Sequence, residues 1–322
     1  MRSRVVTILA LALAAIAVVV TGTRFERSSS LLHHPAAVHT SLAPVLASYL
    51  GVFEPGAPPD YSAVATFTQA AGRQPNLLGY YSGWAEPFDT SYADMLRKHG
   101  IIPFIQIDPT DASVAAVAAG TYDDYLRSYA DSVAEFGHNV VIGFGHEMNA
   151  PWYTWGYGHV PAKTFVAAWQ HIVTLFHQEG AYNVTWLWTL QADENGTGPI
   201  ASWWPGAKYV NWVGIDGYYK LPSDNFASVF VKTITQVQTL THKPILLSET
   251  AVGADDDPFV NIPNLFSGMV KYKTLGLVWF DKDQPGGVGS DHQDWRIENN
   301  PYATASFDLA ARSELASVLP TH

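Results

Sequence analysis

The chain has no cysteine among its 322 residues. That absence excludes a disulfide framework, a thiolate nucleophile and any cysteine-based metal site. Charge is also scarce, with only 15% Asp, Glu, Lys and Arg, while hydrophobic residues make up 48%. So apolar a composition excludes wholesale disorder and supplies a core large enough to fold without disulfides. Basic residues are the minority, 18 Lys and Arg against 29 Asp and Glu, for a formal net charge of -11. An acidic surface argues against nucleic acid and anionic membranes as partners, and it suits neutral polymers. Long apolar runs are missing except at the start. Arg2 and Arg4 precede a run from Val5 to Val20, the pattern of a secretory signal. The run lies at the short limit for a membrane span, and no Ala-x-Ala site follows it. A cleaved signal and an uncleaved anchor through residues 5–22 both remain open, and either one exports the domain. We therefore expect three parts: 1–22 as signal or anchor, 23–44 as linker, and 45–322 as one folded domain.

Aromatics are abundant at 13%, including 11 Trp and 16 Tyr. From about Tyr49 onward, short apolar runs alternate with amphipathic segments. The runs lie at 50–54, 76–81, 101–107, 140–145, 184–188, 210–216, 244–248 and 276–280. Most are continuous rather than alternating, as strands buried on both faces require. Between them, Tyr122, Leu126, Tyr129, Val133 and Phe136 recur at helical spacing, with Thr121 as an N-cap and Gly137 as a stop. Pro161 opens a second helix that Gly180 ends, and Phe226–Leu240 reads as a third. Eight strands alternating with helices predict a (β/α)8 TIM barrel. A doubly wound sheet competes, but no glycine-rich phosphate loop follows the first strand.

In such a barrel, residues just after each strand converge at one end. Glu147 follows the fourth run and Glu249 the seventh. Two rim carboxylates amid exposed-looking aromatics point to glycoside hydrolysis. Trp203 and Trp204 precede Pro205-Gly206, on a loop that could border the cleft. Asp255-Asp256-Asp257 lacks the spaced ligands of a calcium loop and reads as a solvated turn. His33, His34 and His39 fall in the linker. Asp281, Asp283, Asp291 and His292 mark a glycine-rich loop after the last strand, expected to shape the cleft rather than hold a metal. No Gly-x-Ser-x-Gly elbow occurs.

Several motifs carry a family resemblance. Gly145-His146-Glu147-Met148-Asn149, then Trp152-Tyr153-Thr154-Trp155, resembles the acid/base signature of glycoside hydrolase family 26. Trp212–Tyr218, Ser248-Glu249-Thr250 and Trp279-Phe280-Asp281 resemble its later motifs, in the same order. The resemblance covers roughly residues 48–315. It implies a retaining (β/α)8 enzyme, most often an endo-β-mannanase, sometimes acting on β-glucan or xylan. It makes Glu147 the general acid/base, with a pKa raised by burial, and Glu249 the ionised nucleophile. Tyr218 would orient Glu249. His146 would contact sugar or carboxylates, and Asn149 and Asp281 would help bind substrate. Trp152 and Trp279 would be stacking platforms, with Trp84 lining a further subsite. No cofactor is implied, and the expected partner is a polysaccharide met by a secreted, monomeric chain. Many members carry an arginine three residues before the motif histidine. Here that position is Gly143, so Arg296 or Lys282 would have to support the nucleophile. The alternatives are a different β-glycan, such as a cell-surface polysaccharide, or a non-catalytic glycan-binding protein of the same fold.

Overall fold

The computed structural model describes residues 41–192, 196–253, 257–284 and 293–316. The targeting segment, nearly all of the linker, Asp255, Asp256, Asp291 and His292 lie outside the described residues.

Eight strands form the frame. They are β1 (Tyr49–Phe53), β2 (Leu77–Gly83), β3 (Ile102–Asp108), β4 (Val140–Phe144), β5 (Val184–Gln191), β6 (Trp212–Asp216), β7 (Ile245–Thr250) and β8 (Gly276–Phe280). Each pairs in parallel with the next, and β1 pairs with β8 to close the barrel. The helices are α1 (Ser62–Ala71), α2 (Thr90–Lys98), α3 (Val114–Ala118), α4 (Asp123–Phe136), α5 (Ala162–Gln178), α6 (Lys232–Leu240), α7 (Pro258–Lys271) and α8 (Pro301–Glu314). Beyond β8, a two-residue ribbon of β9 (Asp283–Gln284) and β10 (Gln293–Asp294) runs antiparallel. This is the expected (β/α)8 barrel, because runs buried on both faces can pair only in a sheet that helices cover. Among the described residues, no helix is long and apolar enough to cross a membrane.

Local signals act as the sequence indicated, with shifts at the ends. Gly137 takes the left-handed conformation that ends α4. The cap at the other end is Tyr122 rather than Thr121. The segment after Phe226 begins as a π-helical turn, Ala227–Val231, before α6.

The barrel interior is tiered. Its floor is apolar, built by Tyr49, Leu77, Phe104, Val141, Leu187, Trp212, Leu246 and Val278. Tyr49 meets Trp212 edge-on at 4.8 Å. Above the floor the strands approach closely over small residues. A Cβ on Gly143 would stand 1.9 Å from Gln106 Oε1. One on Gly214 would stand 2.4 Å from Ser248 Oγ and 2.7 Å from Thr189 Oγ1. The three polar side chains fill the room these glycines leave, and Gln106 Nε2 donates to Thr189 Oγ1 at 2.8 Å. The tier above is the mouth of the barrel.

Candidate active site

At the mouth lies a cavity of about 720 Å³ whose walls include His146, Glu147, Trp152, Tyr218 and Glu249. Both glutamates therefore face one space, from opposite sides of the barrel. Different local devices put them there. Gly145 and Glu147 have φ of +55° and +52°, a region costly for a glutamate and retained only where the surroundings impose it. The Glu147 amide donates to the Thr189 carbonyl at 3.1 Å, and its carboxylate accepts from Trp152 Nε1 at 2.6 Å. Glu249 is aimed by a bulge. From Gly214 to Asp216, β6 takes two steps where β7 takes three, Leu246 to Glu249. Against β8 the slip recurs, Leu247–Thr250 facing Leu277–Trp279. The extra residue turns Ser248 and Glu249 inward together. Ser248 then donates to Asp216 at 2.5 Å.

Glu249 accepts hydrogen bonds from Tyr81 and from Tyr218. Its burial, followed by the charge of Glu147, pushes its pKa up to about 7, against the pull of His146 and Tyr81. Asp216 is driven well above the usual carboxylate range by burial and then by Glu249 and Glu147. His146 supplies the compensating cation. Burial disfavours its charge, but Asp108, 2.9 Å from Nδ1, outweighs that and raises its pKa to about 10. Its Nε2 lies 3.1 Å from the Tyr153 hydroxyl, whose ring stacks on Trp155 at 4.4 Å. Four carboxyl groups, those of Asp108, Glu147, Asp216 and Glu249, thus surround one imidazolium at the mouth of the barrel.

Not every expected residue reaches it. Trp279 does not. Side chains alternate along a strand, and with Val278 and Phe280 turned inward Trp279 packs against α8, edge-on to Phe307 at 5.1 Å. Phe280 takes the place in the cavity and stacks on Phe53 at 4.7 Å. Trp84 stands outside the cavity against Tyr122, Tyr125 and Phe144. Asn149 is fully buried and exchanges hydrogen bonds with the backbone of Gln191, both at 2.9 Å. It ties the loop after β4 to β5 and touches no cavity surface. Asp281 is buried behind the wall, accepting from the Ile297 amide at 3.0 Å. Burial and then Glu54 hold it protonated, up to about 10. Trp203 and Trp204 pack onto Phe165 and Trp188. Arg296 pairs with Asp294 at 2.7 Å, not with Glu249. Support for Glu249 comes from two phenols and an imidazolium, and Gln106 occupies the space beside Gly143.

Tyr81, Asp108, Asp216, Phe53 and Phe280 were not anticipated. Tyr81, Asp108, Asp216 and Phe280 lie at or near the C-terminal ends of apolar runs, the signal that identified both glutamates. Among the described residues, no group of three or more His, Asp and Glu is placed to hold a metal.

Residues 108–262 match the family model of glycosyl hydrolase family 26. Both glutamates, His146 and Tyr218 fall inside that match. That segment, just under half of the chain, is a glycosyl hydrolase family 26 sequence. Its sequence is 26% identical over 269 residues to Endoglucanase H of Acetivibrio thermocellus, covering 78% of this chain. It is 29% identical over 111 residues to a mannan endo-1,4-beta-mannosidase of Caldalkalibacillus mannanilyticus, covering 31% of this chain. The matches span 29% and 21% of those longer proteins. The family 26 beta-mannanase of Bacteroides ovatus has the same fold, with a TM-score of 0.61 and 15% identity over 85% of this chain and 92% of that one.

Proposed function

We propose that this family 26 chain is an exported, retaining β-glycoside hydrolase that cuts a polysaccharide by double displacement. The observation that carries the reading is Glu147 and Glu249 facing one aromatic-walled cavity. Two carboxyl groups that share one buried space titrate as a pair, so one proton resides on them over a window of pH. Two phenol hydroxyls donate to Glu249, and a third donor, the Trp152 indole, serves Glu147. The two phenol donors favour the charge on Glu249, which leaves the shared proton to Glu147. Glu249 then attacks the anomeric carbon while Glu147 protonates the departing oxygen. Glu147, now a base, takes a proton from the water that releases the sugar.

β-1,4-Mannan is the first substrate we assign, on the strength of the mannosidase relative; β-glucan and xylan are the comparators, since Endoglucanase H aligns over more of the chain. Export rests on the N-terminal Arg2–Val20 pattern, and mass analysis of the mature N-terminus tests it. The decisive experiment is a polysaccharide assay with native protein, Glu147→Gln and Glu249→Gln. Cleavage of one polymer that both substitutions abolish, with first products in the β-anomeric form by proton NMR, is the expected result. Products of inverted configuration, or turnover surviving Glu249→Gln, refute the double displacement.

A further inference from the structure

One wall of the cavity climbs from depth to rim through alternate residues, Phe280, Lys282 and Gln284, and Gln293 of β10 continues it. Asp281 and Asp283, between them, turn away. The Lys282 ammonium stands 5.8 Å from the centre of the Phe280 ring. Its backbone is pinned, the carbonyl accepting from the Trp295 amide at 3.0 Å.

The neighbouring acids are engaged elsewhere. Asp281 is buried on the Ile297 amide, and Arg296 holds Asp294 at 2.7 Å and Asp283 at 3.4 Å. Among the described residues, no carboxylate lies within 4.0 Å of the Lys282 ammonium. Lys220 enters the same cavity from the loop after β6. In a chain with a net charge of -11, two lysines thus line one cleft. Of the carboxylates lining the same cavity, Glu147 and Asp108 are 6% exposed and Glu249 is half-buried.

An ammonium beside an aromatic ring gains more from an anion than from a hydroxyl. We propose that this wall is a subsite for a sugar carrying an anionic group, a carboxylate or a sulfate ester, with the ring against Phe280 and the anion on Lys282. The proposal rests on the glycoside hydrolase reading above and narrows its substrate to a β-glycan with acidic substituents.

Glu249→Gln protein, which binds without turnover, provides the test. Calorimetry would compare three oligosaccharides on each of the mannan, glucan and xylan backbones: neutral, uronate-bearing and sulfated. On one backbone a charged form should bind about tenfold tighter than its neutral parent, and lose that advantage in about 0.5 M salt. Lys282→Gln should erase the difference and Lys282→Arg should keep it, with melting curves confirming that both fold. The preferred anion, uronate or sulfate, identifies the substituent. Equal binding of neutral and charged forms overturns the subsite alone, as does a preference that survives Lys282→Gln. Failure of every backbone to bind overturns the hydrolase reading and the subsite with it.

Discussion

Tyr81 shows how much a single hydroxyl can decide in a buried site. It donates to Glu249 and so favours the carboxylate over the acid. Tyr81→Phe leaves the ring packed on Phe53 but removes that donor. The Glu249 pKa should rise further above about 7. The acidic limb of the kcat/KM profile should then move to higher pH, with a loss of about 10- to 100-fold from one charge-assisted hydrogen bond. An unmoved acidic limb would count against Glu249 as the group that must ionise. Gln106 and Gly143 form a second residue-scale pair. Gly143→Arg should destabilise the fold by about 1–3 kcal/mol because Gln106 already occupies the space. Gly143→Arg with Gln106→Ala should recover much of that loss in a denaturant titration. Additive losses in the double variant would show that the two side chains do not compete.

At the scale of elements, β7 and β8 differ in how they point their side chains. β8 alternates without interruption, which places Val278 and Phe280 inside and Trp279 against the helices. β7 breaks its alternation once, at the bulge, and so delivers both Ser248 and Glu249 to the interior. The two tryptophan-motif neighbours should therefore separate cleanly by experiment. Trp279→Ala should cost about 3–5 kcal/mol of stability, measured by thermal or chemical unfolding, while molecules that remain folded keep their substrate affinity. Phe280→Ala should weaken substrate binding by about 1 kcal/mol or more, through loss of the platform. The reverse pattern, with Trp279 governing KM, would contradict the strand alternation described here.

For the whole molecule, the buried ionisable groups lean the same way. Burial raises Glu54 and Glu249 to about 7 and Asp281 to about 10, and Asp108 helps bring His146 to about 10. Each group binds its proton more tightly in the folded chain than in the unfolded one. The folded state therefore holds more protons, and stability falls as pH rises. For the carboxyl groups the decline runs from the ordinary carboxylate range up to about 7 or 10. For His146 it runs from about 6.5 to about 10. Asp294 opposes this only in strong acid, since Arg296 holds it down to about 2. The melting temperature should be greatest in mildly acid buffer and drop steadily from pH ~6 to pH ~9. A melting temperature that climbs across that interval would mean these groups are not protonated in the fold.

The sequence by itself determined a parallel sheet covered by helices, because apolar runs without alternation need both faces buried, and eight of them without a glycine-rich phosphate loop favoured the closed barrel over a doubly wound sheet. It also determined that Glu147 and Glu249 end strands, and hence lie at one end of the barrel. Tertiary structure decided which neighbours share their cavity. Phe280 rather than Trp279 faces inward because of strand alternation, whose phase a continuous apolar run does not reveal. Asn149 and Asp281 read as binding residues, yet backbone groups from other elements, at Gln191 and Ile297, claim them. Tyr81 and Asp108 join the site only because closing the barrel sets β2 and β3 beside Glu147 and Glu249. A polar residue at the end of a buried strand is legible in the chain, but its partner across the barrel depends on register and on a one-residue bulge, which only the folded sheet fixes.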